Sequence, residues 1–165
     1  MRILGIDPGS RITGIGIIES DGRHSQHIYS CCIRLGNDPF PVRLGKIYKE
    51  IEIIIAQYQP EQMAIEDVFL SKNPSSALKL GQARGAAICA TVMQNIPVFE
   101  YSAREIKQAV VGKGNADKSQ VQHMVKLLLN LQGKIQSDTA DGLAIALSHA
   151  HVGATKIRIQ EAMAK

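Results

Sequence analysis

Met1-Arg2-Ile3-Leu4-Gly5-Ile6-Asp7-Pro8-Gly9-Ser10-Arg11-Ile12-Thr13-Gly14-Ile15-Gly16-Ile17-Ile18 is the stretch on which the fold turns. Its apolar runs at 3–6 and 15–18 are parted by Asp7-Pro8-Gly9-Ser10 and followed by Asp21-Gly22, the signals of strand, turn, strand, turn. A third strand is predicted over 24–34, before Gly36-Asn37-Asp38-Pro39 breaks the chain. The apolar period then changes to that of a helix at Leu44, Ile47, Ile51, Ile54, Ile55 and Tyr58. Three strands followed by a helix open an α/β domain.

The remaining chain continues the alternation. A short strand is expected at 63–66 after Gln59-Pro60, and a helix from about Pro74 that carries a stripe of small residues, Ala77, Gly81 and Gly85. A fifth strand at 97–101 feeds Ser102-Ala103-Arg104-Glu105, whose Ser and Glu spacing is a capping box. Gly112-Lys113-Gly114 ends that helix; others are predicted from Asp117 to about Leu131 and from about Asp138 towards Gly153. The fold class expected is α/β, a mixed five-stranded sheet flanked by helices, with residues 1–165 forming a single domain.

Composition bounds the function classes. With 165 residues, 45% hydrophobic and 21% charged, the chain is an ordinary globular one, and its net charge of +4 permits an anionic partner without requiring it. Asp7 interrupts the N-terminal apolar run where a signal peptide needs continuity, and no later run approaches a bilayer's thickness, so a cytoplasmic protein with no membrane partner is expected. Cys31, Cys32 and Cys89 are odd in number and lack metal-knuckle spacing; reduced, structural thiols are expected.

Four carboxylates carry the chemistry. Asp7 closes the most apolar strand, and Asp before Pro-Gly has an ordinary use as a turn cap. Glu66 closes another β-like run in Ala64-Ile65-Glu66-Asp67, where alternation sends Glu66 and Asp67 to opposite faces without saying which is the functional one. Asp138 and Asp141 are three apart, on one face of a helix start, where acidic residues are common for dipole reasons alone. Singly each is explicable as cap or salt-bridge partner. Together they supply the hard oxygen ligands that two Mg²⁺ ions, or Mn²⁺ in their place, need to promote phosphoryl transfer without a Ser, His or Cys nucleophile.

Gly5-Ile6-Asp7-Pro8-Gly9, Ala64-Ile65-Glu66, Gly81-Gln82-Ala83-Arg84-Gly85, Val111-Gly112-Lys113-Gly114 and Asp138-Thr139-Ala140-Asp141, in this order over almost the whole chain, resemble the RuvC family of crossover-junction endodeoxyribonucleases. The resemblance implies an RNase H-like fold, a homodimer, and paired symmetric nicks in four-way (Holliday) DNA junctions, in recombination and repair. It places Asp7, Glu66, Asp138 and Asp141 on the family's catalytic positions; the family sometimes carries His in place of Asp138. It also implies work alongside a junction-binding and branch-migration complex. Lys107 and Lys118 match basic, DNA-contacting positions, and Phe69 an aromatic that stacks on an unpaired base near the junction centre. Phe69 would serve equally in the core. Lys113, Lys126, Lys156 and Arg158 read as solvated, and His149 and His151, two apart, as non-ligands.

The mechanism expected is in-line attack of a metal-activated water on a phosphodiester, with Asp7 bridging both ions and the other three carboxylates completing the shells. The Ala77, Gly81, Gly85 stripe is a candidate dimer interface, or a site of close packing within the monomer. Two rivals fit less well. A sugar-kinase or chaperone-type ATPase needs a second phosphate-binding loop and a second domain, and a non-catalytic junction-binding module has no use for clustered like charges.

Overall fold

A computed structural model describes residues 1–68 and 73–163, with backbone alone for 156–161 and 163. Its elements are β1 (Arg2–Asp7), β2 (Ile12–Ser20), β3 (Ser25–Arg34), α1 (Phe40–Tyr58), β4 (Gln62–Glu66), α2 (Pro74–Val92), β5 (Val98–Tyr101), α3 (Ala103–Val111), α4 (Lys118–Leu128) and α5 (Ser137–Met163). The sheet order is β3-β2-β1-β4-β5. Two tight turns force the first three strands antiparallel, while α1 and α2 are crossovers that bring β4 and β5 in parallel to β1.

Side-chain alternation divides the interior into two cores. Leu4 and Ile6 of β1, Ile15 and Ile17 of β2, and Met63 and Ile65 of β4 pack beneath α1 and α2, against Ile47, Ile51, Ile54, Ala83 and Ala87. On the opposite face Ile3, Ile18, Ala64, Phe99 and Tyr101 meet α3, α4 and α5 through Ile106, Val121, Val125, Leu143 and Leu147. The sheet is thus sandwiched between two helical layers.

Helix ends follow their local chemistry. Ser102 and Glu105 form the expected capping box on α3, and Asp117 and Gln120 form a second on α4. The helix predicted to reach Leu131 stops at Leu128, because Asn130 takes a left-handed conformation (φ 50°) while Leu131 N–H bonds the Lys126 carbonyl and Asn130 N–H that of Leu127. That pattern satisfies the last carbonyls and turns the chain. Conversely, α5 runs past Gly153 to Met163; the His149 ring fills the space beside Gly153 that a side chain would need.

The small-residue stripe of α2 is open at its glycines: among the described residues, no atom beyond the local helix backbone lies within 4 Å of where a Cβ would stand at Gly81 or Gly85, and α2 instead buries Ala83, Ala87, Ala90 and Thr91. Exposed Leu78 and Val92 lie on the same helix.

Candidate active site

Backbone meets backbone where α5 crosses the sheet. A Cβ at Gly5 would stand 2.2 Å from the Gly142 carbonyl oxygen, one at Gly14 would stand 1.9 Å from that of Asp138, and one at Gly16 would stand 2.5 Å from Leu143 N. Only glycine admits this approach. Because Gly5 faces Gly16 and Asp7 faces Gly14 across the β1–β2 ladder, the close contact lowers the first turn of α5 onto the strand end that carries Asp7.

Glu66 arrives from the neighbouring strand. Ile6 pairs with Ile65, so the next residues, Asp7 and Glu66, stand side by side at the C-terminal ends of parallel strands. Met63 and Ile65 face α1 and α2, which sends Ala64 and Glu66 to the α5 side with Asp7. Asp67 goes the other way and lies 3.7 Å from the Arg84 guanidinium. The choice between Glu66 and Asp67 is thereby made by register.

Asp138 and Asp141, one turn apart on α5, complete the group. The Asp7 carboxyl is pushed up to about 8, first by burial, then by the negative charges of Glu66, Asp141 and Asp138. Glu66 is raised too, by burial and by Asp141, while its hydrogen bond with Asp7 and the charges of Lys107 and Lys118 pull it back. Lys118 Nζ lies 2.8 Å from Asp141 Oδ2, and this contact raises the lysine. Glu66, Lys107, Lys118 and Asp141 line a cavity of about 250 Å³ with Ala103 and Ile106. An adjoining one of about 290 Å³ is lined by Asp7, Pro8, Glu66 and Asp67.

Six of the seven residues singled out by sequence converge here; Phe69 lies outside the described residues. Oxygen donors, burial and excess negative charge are what a hard divalent cation requires. Among the described residues no three acidic, His or Cys side chains stand in a finished ligating array. Lys118 instead pairs with Asp141 through Oδ2.

Other titratable groups have structural uses. His149 is buried, with Nε2 2.6 Å from Gln62 Oε1 and Nδ1 2.6 Å from the Tyr101 hydroxyl, and stacks on Phe99. Among the described residues the cysteines are free thiols, and Cys32 Sγ contacts Thr139 Oγ1 at 3.1 Å. No described helix is long and apolar enough to cross a membrane. Sequence reasoning gave no role to Arg84, although it stands in the quoted Gly81–Gly85 string. Nor did it see the glycine contact, whose signal is the small residues at 5, 14 and 16 on one face of two adjacent strands.

A mixed five-stranded sheet in this order, with a lysine-rimmed acidic cleft where a helix start meets two strand ends, defines a nuclease of the RNase H-like class. The family model described as crossover junction endodeoxyribonuclease RuvC matches residues 3–149. Relatives of that description include proteins from Dichelobacter nodosus, 61% identical over 150 residues (91% of this chain, 85% of the relative), and Marinobacter nauticus, 57% identical over 157 residues (95% and 90%). The solved Thermus thermophilus RuvC in complex with a Holliday junction substrate superposes with a TM-score of 0.89 at 31% identity, covering 94% of this chain and 96% of that one. A yeast mitochondrial Holliday junction resolvase shares the fold at a TM-score of 0.66 and 12% identity, over 96% and 83% of the two chains. The chain belongs to the RuvC family of crossover junction endodeoxyribonucleases, and is an endonuclease that resolves Holliday junctions.

Proposed function

We propose that residues 1–165 act as one nuclease domain in which Asp7, Glu66, Asp138 and Asp141 bind two Mg²⁺ ions, with Mn²⁺ able to substitute, and hydrolyse opposed phosphodiesters of a four-way DNA junction. The observation that carries this is the Asp7 carboxyl, pushed up to about 8 beside three further carboxylates at the junction of two strands and a helix. The two ions would supply Lewis acidity at the scissile phosphate. Asp7, beside Glu66 and the α5 pair, would be the ligand shared by the two ions. Lys118 neutralises Asp141 in the free protein and, released from it, is in reach of a phosphate entering the cavity; Lys107 lines the same wall.

Phe69 is proposed to stack on a base at the junction centre. Paired nicks need two sites related by symmetry, and the face of α2 that carries the open Gly81 and Gly85, in the Ala77, Gly81, Gly85 stripe, is proposed to receive a second copy of the chain. The setting proposed is the cytoplasm, in recombination and repair beside a junction-binding and branch-migration complex.

Incubation with a synthetic four-way junction and a sequence-matched linear duplex, with and without Mg²⁺, tests the reading. The expected result is paired symmetric nicks in the junction alone, only with the ion, and none by Asp7→Asn. Equal cutting of both DNAs, or cutting in the presence of chelator, would overturn it.

A further inference from the structure

Arg84 lies on α2, outside the carboxylate cluster, and its side chain is only 16% exposed. Nε donates to the Glu66 carbonyl oxygen at 3.1 Å, and Nη2 pairs with the Glu100 carboxylate and lies 3.7 Å from Asp67 Oδ1. The carbonyl it takes is one that the sheet leaves without a ladder donor. Asp67 N–H is directed to the Tyr101 carbonyl of β5 at 2.8 Å, so across a trans peptide the Glu66 carbonyl points towards β1. There the chain after Asp7 continues as Pro8, which has no N–H. Arg84 supplies the missing donor, and its other arm ties the same strand end to β5.

We propose that Arg84 is a positioning residue for the metal-binding geometry of Glu66: its guanidinium fork fixes the last peptide of β4, and through it the direction in which the Glu66 carboxylate faces Asp7. The proposal rests on the reading of Glu66 as a metal ligand. A planar fork suits the task because carbonyl and carboxylate are held at once, in fixed relative orientation; a lysine, as a point charge, holds one or the other.

The test compares Arg84→Gln, Arg84→Lys and Glu100→Gln with the wild-type full-length chain. Read for each are Mn²⁺ affinity by calorimetry without DNA, the Mg²⁺ concentration for half-maximal single-turnover cleavage, junction affinity in metal-free buffer, and melting temperature. Arg84→Gln is expected to weaken Mn²⁺ binding and raise the Mg²⁺ requirement about tenfold, as loss of a group that orients a ligand does. Junction affinity should stay within about twofold, since the fork's partners are protein groups. Arg84→Lys should resemble Arg84→Gln in its metal response. Should Arg84→Gln fail to fold, Glu100→Gln loosens the same fork from an exposed position, and a smaller shift in the same direction is expected.

Unchanged metal response in the folded variants, full recovery by Arg84→Lys, or a defect confined to junction affinity would each overturn the proposal. Glu66→Gln separates it from the reading beneath it. If that variant binds Mn²⁺ and cleaves like wild type, Glu66 is not a ligand, whatever Arg84→Gln does.

Discussion

The two faces of the sheet solve opposite problems. Under α1 and α2 the contact is made of large branched side chains, Leu4, Ile6, Ile15 and Ile17 against Ile47, Ile51 and Ile54. Such a layer stabilises in proportion to the apolar area it removes from water, and small shifts of the helices cost little function. Under the start of α5 the side chains vanish and the backbones touch at Gly5, Gly14, Gly16 and Gly142. That contact gives up burial to gain position. It brings Asp138 and Asp141 down to Asp7 and Glu66, whose mutual repulsion opposes folding. Both faces bury a core, but the α5 face alone spends part of that stability on a charged site.

The largest expected effect bears on the charged face. Asp7→Asn should cut the single-turnover cleavage rate at least about 10³-fold, equivalent to about 4 kcal/mol of barrier. Its stability should move the opposite way. The folded protein keeps the Asp7 proton up to about pH 8, against an ordinary value of 3.8, so between these limits the folded state binds more protons than the unfolded. In metal-free buffer wild-type stability therefore falls as pH rises from about 4 towards 8. Asp7→Asn should lose this slope and be as stable as wild type, or more so, at the upper end in thermal melts. A marked loss of stability there would make Asp7 a structural residue.

Ile51, fully buried on α1, probes the other face. Ile51→Ala should lose about 2–5 kcal/mol in denaturant titrations while the folded fraction cleaves at the wild-type rate. Slower cleavage per folded molecule would break the division between the faces.

Gly142→Ala sharpens it. Helix propensity alone favours Ala by about 1 kcal/mol, yet its Cβ would stand 2.8 Å from the carbonyl carbon of Ile15 and 2.9 Å from Gly16 N. Forcing α5 away should cost about 1–3 kcal/mol in the same titrations and lower cleavage further than that loss explains, because Asp138 and Asp141 move with the helix. A stabilised, fully active Gly142→Ala would show that the contact is loose.

The smallest effects concern the rim. Lys107→Ala and Lys118→Ala should each weaken junction binding and reduce the salt slope of log Kd by about one. Lys118→Ala should also cost a few tenths of a kcal/mol at most in metal-free melts, since its pair with Asp141 is more than half exposed on the lysine side. An unaltered salt slope would remove both lysines from the phosphate path.

All five strands were legible in the sequence because turn residues and alternating apolar runs are local signals; the starts of β3, β4 and β5 moved by one residue each, and β2 extends beyond its apolar run to Ile12–Ser20. The four carboxylates were legible as a set, through their positions at the ends of predicted elements. The choice of Glu66 over Asp67 was not legible, since it depends on which face of β4 meets α5, a fact of register with Ile6 and Phe99. The close approach of α5 was equally hidden, because Gly142 and Gly16 become neighbours only after the sheet has formed. The stripe at Ala77, Gly81 and Gly85 was visible, but that its glycines stand open follows from α2 burying Ala83, Ala87, Ala90 and Thr91 instead. Arg84 was invisible as a ligand of the Glu66 carbonyl for a like reason: one partner is a backbone atom eighteen residues away.

The 27-residue length of α5 gives the glycine contact a mechanical meaning. From Gly142 to Met163 the helix extends about 30 Å, whereas Asp138 lies only about 6 Å to the other side. With the sheet contact as fulcrum, displacing the far end by about 2 Å tilts the rod by about 4° and moves Asp138 by about 0.4 Å. The carboxylates ride near the pivot rather than at the tip. Motion at the far end of the helix is therefore scaled down several-fold before it reaches Asp138 and Asp141.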